Sequence, residues 1–209
     1  QEFFDSNLAN LDQLNRYLPL ILLGFIPAIT MSIWADEKRQ GTDELLLTLP
    51  GSDFDVVIGK YLGAVAIFSV SLVISLIANY YVLSQLGNPD FGLLVSTYLG
   101  YWFVGLSMIA IGMVASFLTA NLTVAFVLGV AFNSPLSLLQ DSEWTIAANF
   151  LDFSRGTLST SGIIFFIGLA VAMLYLSSIL IGRRHWVGSP QGKNKFFHFS
   201  IRFFKRITM

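Results

Sequence analysis

Between Asp90 and Asp141 the chain reads FGLLVSTYLG YWFVGLSMIA IGMVASFLTA NLTVAFVLGV AFNSPLSLLQ (residues 91–140), fifty residues without one Asp, Glu, Lys or Arg. A helix rises about 1.5 Å per residue, so about 20 apolar residues cross a hydrocarbon core about 30 Å thick. Fifty is more than one core element of a soluble domain uses, and it suits two membrane crossings joined by a turn. Thr119-Ala120-Asn121 divides the run, which predicts one span near 93–118 and another near 122–139. In the latter, Asn133-Ser134-Pro135 is expected to bend the helix or end it early, because proline has no N–H and its ring clashes with the preceding turn.

Working outward, three further stretches are long and apolar enough to cross. Residues 17–34 carry no charge until Asp36, and Pro19 and Pro27 are tolerated better in a membrane helix than in a soluble one. Residues 56–86 carry only Lys60, close enough to the start to snorkel into the headgroups. Residues 162–181 end at Gly182-Arg183-Arg184. The expected fold is all-α and polytopic, with five transmembrane helices in this segment.

Composition agrees. Of 209 residues, 55% are hydrophobic and 12% charged, where soluble domains carry about 25% charged residues. A net charge of −1 argues against a nucleic-acid partner, which needs a concentrated basic face. Cysteine is absent, and the two histidines, His185 and His198, lack the spacing of a helix-borne metal site. No cofactor or metal is expected.

Sidedness follows from the basic residues. If the loop after the first of these spans is cytoplasmic, ten of the twelve Lys and Arg lie on that side and only Arg16 and Arg155 lie outside, as the positive-inside rule favours. The C-terminus is then cytoplasmic. The chain starts with Gln and has no secretory leader, so an external start is explained by an earlier span upstream. Of the outer loops, residues 85–90 hold the turn Gly87-Asn88-Pro89-Asp90. Residues 140–160 place Trp144, Ala147, Ala148, Phe150 and Leu151 at roughly helical spacing, which reads as a short helix on the outer membrane surface or as an ordered loop with Trp144 in the interfacial belt.

Between the first two of these spans lies WADEKRQGTDELLLTLPGS, residues 34–52. Gly41 and Pro50 bracket a helix of about two turns, with Asp43 and Glu44 in the first turn, where the helix dipole favours acids. Ser52 and Asp55 match a capping box opening the next span. Leu45, Leu46, Leu47 and Leu49 give this short helix a broad apolar face among charges. Such a face calls for a partner surface, or for the headgroup layer as an interfacial amphipathic turn.

The pattern Glu37-Lys38-Arg39-x-Gly41-Thr42-x-Glu44-Leu45-Leu46-Leu47-Thr48-x-Pro50, followed by Val57-x-Gly59-Lys60-Tyr61-Leu62, resembles the signature of type-2 ABC transporter permeases, and the gliding-motility (Gld) permease subunits in particular. The resemblance implies a permease domain of six spans in the bacterial inner membrane, with residues 1–186 supplying all but the first and residues 187–209 forming a basic cytoplasmic tail or linker. It also implies a second permease copy and a separate ABC ATPase, coupled through a segment whose docking positions are Glu37, Gly41, Thr42, Glu44, Leu45, Leu46, Thr48 and Pro50. Relatives are sometimes fused to an auxiliary extracytoplasmic domain, for which the tail would be the linker. Two positions depart from the pattern: Asp43 replaces an aliphatic or aromatic residue, and Gly51 stands between Pro50 and Ser52 where Ile or Leu is more usual.

A membrane enzyme is the competing class. It needs ionisable or nucleophilic groups converging at membrane depth, yet apart from Lys60 the spans hold no Asp, Glu, Lys, Arg or His. Ser69, Ser71, Ser75, Thr97, Ser107 and Ser116 have no histidine to activate them and are read, with Gly63, Gly100, Gly105, Gly112 and Gly129, as helix-packing residues. There is also no Gly-rich phosphate loop ending in Lys-Ser/Thr, so hydrolysis belongs to another chain. A non-transporting anchor or assembly factor is the third class. Substrate identity is not legible.

Overall fold

A computed structural model describes residues 12–42, 53–87, 90–138, 146–157 and 159–187. Among them the elements are seven helices and no strand: α1 (Asp12–Thr30), α2 (Ser32–Gln40), α3 (Asp53–Leu86), α4 (Phe91–Phe117), α5 (Leu122–Leu138), α6 (Ile146–Ser154) and α7 (Thr160–Val187). The expected all-α polytopic architecture is found. Among the described residues four stretches are long and apolar enough to span a membrane: Tyr17–Gln40, Phe54–Gln85, Phe91–Phe117 and Thr160–Gly182.

The fifth expected span is shorter than a full crossing. At 17 residues, α5 extends about 25 Å, against a core of about 30 Å. It does not stop at Pro135. That residue lacks the N–H that would meet the Ala131 carbonyl, and the Ser134 hydroxyl donates to that carbonyl instead, at 3.0 Å. The expected division at 119–121 also holds. The Asn121 side chain accepts from the N–H groups of Thr123 and Val124 at 2.9 and 3.3 Å, capping α5. Asp90 caps α4 in the same way through Gly92 and Leu93.

Helix α4 is the central pillar. In its most apolar stretch 78% of residues are buried, against 22% in α3 and α7. It contacts all six of the other helices, and glycines admit some of them closely. A Cβ on Gly105 would fall inside the Phe68 ring of α3, and one on Gly112 would strike Thr30 of α1. In α5, a Cβ on Gly129 would lie 3.0 Å from Pro27. Gly63, expected among the packing glycines, has open space where a Cβ would go.

One expectation needs correction. The first span is not one helix ending near Trp34: α1 stops at Thr30, Met31 intervenes with right-handed helical angles, and α2 carries the apolar run on to Gln40. The outer helix exists as α6, and one of its faces packs inward. Its Ile146, Phe150 and Phe153 are buried, because Gly100 leaves room for Phe153 at a Cβ-equivalent distance of 2.6 Å. Phe150 stacks on Tyr101 at 5.4 Å, and Ser96 donates to the Phe153 carbonyl at 3.2 Å.

Candidate functional site

The residues singled out by the sequence pattern divide between described and undescribed parts of the chain. Glu37, Gly41 and Thr42 are described; Glu44, Leu45, Leu46, Thr48 and Pro50 lie outside the described residues, as do Ser52 and the tail beyond Val187. The geometry therefore concerns the root of the segment, where α2 ends and α3 begins.

Helix α2 ends at Gly41, whose φ of 70° and ψ of 13° are left-handed. A side chain there would clash with its own backbone, so glycine suits this position. The Gly41 N–H meets the Lys38 carbonyl at 3.3 Å and the Thr42 N–H meets the Glu37 carbonyl at 3.0 Å. The turn stops the helix cleanly and sends the chain off as Thr42 becomes exposed. Lys38 and Arg39 occupy the last turn, where cations suit the negative end of the helix dipole.

Three contacts fasten α2 to its neighbours. The Ser116 hydroxyl of α4 accepts from the Trp34 and Ala35 N–H groups at 3.1 and 3.2 Å and donates to the Met31 carbonyl at 2.8 Å. It thus serves the backbone at the joint between α1 and α2, where a side chain beside the ladder accompanies a break. Lys38 donates to the Phe117 carbonyl at the end of α4 and lies 3.9 Å from the centroid of the Phe117 ring. The Trp34 and Phe117 rings meet edge to face at 5.5 Å.

Lys60 makes the third contact. It does not snorkel away as expected. Its ammonium donates to Glu37 Oε1 and to the Ile33 carbonyl, the latter at 3.0 Å, and lies 4.7 Å from the Trp34 ring. The physical reason is proximity: α2 brings a carboxylate and a carbonyl within reach two turns inside α3, and a paired ammonium is better satisfied there than one stretched towards headgroups. Among the described residues Glu37 Oε2, which is buried, finds no hydrogen-bond partner, and neither does the buried Trp34 Nε1.

Above this root, α3 and α4 are seamed by polar contacts. Tyr61 donates to the Leu106 carbonyl at 3.0 Å, Trp102 donates to Ser69 at 2.9 Å, and the Tyr98 hydroxyl meets Ser75 and Asn79 at 3.0 and 2.9 Å. The serines expected to pack helices do so here by cross-helix bonding at Ser69, Ser75 and Ser116, whereas Ser71 and Ser107 bond only to carbonyls of their own helices. Sequence reasoning missed the Glu37–Lys60 pairing. The signal was available, a lone lysine seven residues into an apolar helix with an acid on the helix before it.

Among the described residues no cluster of His, Asp or Glu is suited to a metal. The arrangement is mechanical: a helix bolted at its base to two spans and released through a glycine turn. Residues 10–184 match a family model described as ABC-2 family transporter protein. No curated protein and no solved structure matches the chain.

Proposed function

The chain belongs to the ABC-2 transporter family, and from that premise we propose that this permease, a multi-pass membrane component of an ABC transporter, is driven by a separate ATPase docking on the segment that follows Gly41. The single observation that carries the proposal is the anchored root of that segment: α2 is fixed by Ser116, Lys38 and Lys60 and ends in a left-handed glycine. A push arriving beyond Gly41 is thereby delivered to a rigid base.

In this reading Glu44, Leu45, Leu46, Thr48 and Pro50 carry the docking face, with Glu37, Gly41 and Thr42 at its root. The subunit has no hydrolytic chemistry of its own and pairs with a second permease copy. It resides in a bacterial inner membrane with its C-terminus cytoplasmic, and the Gld-like permeases are the subfamily its motif resembles. The transported molecule is unassigned.

The test is Leu46→Asp in the complete complex. A carboxylate in place of a buried leucine costs roughly 2–5 kcal/mol, enough to weaken the contact more than tenfold. The ATPase should no longer co-purify, while membrane insertion is unchanged because residue 46 lies outside every span. Glu44→Ala removes a first-turn acid contributing about 0.3–1 kcal/mol and should reduce transport-linked hydrolysis with the ATPase still bound. ATPase recovered with Leu46→Asp at wild-type yield would strip the segment of its coupling role and leave the interfacial turn as its description.

A further inference from the structure

We propose that the Glu37–Lys60 pair is a positioning clamp at the base of the coupling segment, holding the point where the chain leaves α2 against the point where it enters α3. This rests on the coupling reading and adds to it an intrachain role for Glu37, distinct from contact with the ATPase.

The ten residues between Thr42 and Asp53 join two roots, one at the end of α2 and one at the start of α3. Such a connection transmits a displacement only if its roots keep their separation; otherwise the push is absorbed by spreading them. Glu37 lies one turn before Gly41, and Lys60 two turns into α3, so their ion pair bridges the two roots. The ammonium is held from three directions, by Glu37 Oε1, by the Ile33 carbonyl and by the face of Trp34.

Exposure separates this pair from an ordinary surface one. The Lys60 and Glu37 side chains are 19% and 28% exposed, whereas those of Arg39 and Asp36, also an ion pair, are 59% and 34% exposed. A half-buried pair gains little net stability, because desolvation offsets much of the attraction. Glu37 Oε2 bears that cost openly, being buried with no partner among the described residues. What such a pair supplies is a fixed geometry. The rest of the base completes one body: α2 is bound to α4 through Ser116 and Lys38, and α4 to α3 through Tyr61, Trp102 and Tyr98. With the clamp closed, α2, α3 and α4 move together.

The absence of cysteine makes the test direct. Gln40→Cys and Phe54→Cys, exposed positions beside the two roots, are spin-labelled in the otherwise complete protein in lipid nanodiscs. Their distance distribution is recorded without the ATPase, and with it before and after trapping by ADP and vanadate. The unaltered clamp should give one narrow distribution in all three states. Glu37→Gln and Lys60→Met should each broaden it and lose the permease-dependent change in ATP hydrolysis while retaining the ATPase at wild-type yield. Lys60→Arg should restore both readouts, and the double variant should be no worse than the poorer single one, as for residues acting as a pair. A Lys60→Met protein that does not accumulate is replaced by Lys60→Gln.

The proposal is overturned if the single variants keep the narrow distribution, if the two substitutions act additively, or if Glu37→Gln alone releases the ATPase, which would place Glu37 in the docking contact. The measurement made without ATPase depends only on the clamp. Its failure is therefore distinct from failure of the docking reading, which Leu46→Asp decides.

Discussion

Replacing Ser116 by Ala should destabilise the protein far more than the same change at Ser107, although both serines are fully buried in α4. The Ser116 hydroxyl makes three hydrogen bonds, accepting from Trp34 and Ala35 and donating to Met31. Ser107 makes one, to the Val104 carbonyl of its own helix at 2.8 Å, and that carbonyl keeps its helical N–H partner. A bond between membrane helices is worth about 0.6 kcal/mol on average, so three come to about 2 kcal/mol. Leaving a buried backbone donor unmatched adds to this rather than subtracting. For a protein of about 200 residues, 1 kcal/mol corresponds to a shift of about 2–4 °C, so Ser116→Ala should fall about 4–8 °C and Ser107→Ala about 1 °C or less. The assay is the temperature at which half the monodisperse protein is lost from gel filtration in mild detergent. Equal shifts for the two variants would refute the reasoning, as would a Ser116→Ala protein within about 1 °C of the parent.

Gly105→Ala puts a methyl into the Phe68 ring and should cost roughly 1–3 kcal/mol by overpacking; in the same heating assay, Phe68→Leu should recover part of the loss. Reporter fusions after Gly51 and Lys193 should read cytoplasmic and those at Asn88 and Trp144 external, and an external signal after Gly51 would overturn the orientation. The complete transporter should purify as two permease copies with two ATPases; a strictly monomeric permease that retains ATP-driven activity would contradict this.

The spans were legible because a membrane leaves a coarse signal: apolar runs of known length, divided at Asn121 and punctuated at Asp90 by side chains that cap helices. Where the helices bend was less legible. Pro19 and Pro27 were read only as tolerated in a membrane helix, and the joint where α1 yields to α2 at Met31 is served by Ser116, more than 80 residues away in sequence. The fate of Lys60 was likewise set by a tertiary neighbour, since snorkelling is the default only when no carboxylate is nearer than the headgroups. Helix α6 was visible as periodicity, yet the face that it packs against α4 depended on the missing side chain at Gly100. The coupling role proposed for residues 36–52 came from a resemblance to a family signature; the root of that segment, at Glu37 and Gly41, has a geometry that no pattern encodes.

Lys38 gives the connection between α4 and α5 a charge that it lacks. Residues 118–121 contain no Asp, Glu, Lys or Arg, so the connection carries nothing of its own to mark a side of a membrane. Lys38, 79 residues earlier in the chain, reaches the Phe117 carbonyl at the edge of that connection. In the folded protein α2 thus lends the turn its cation.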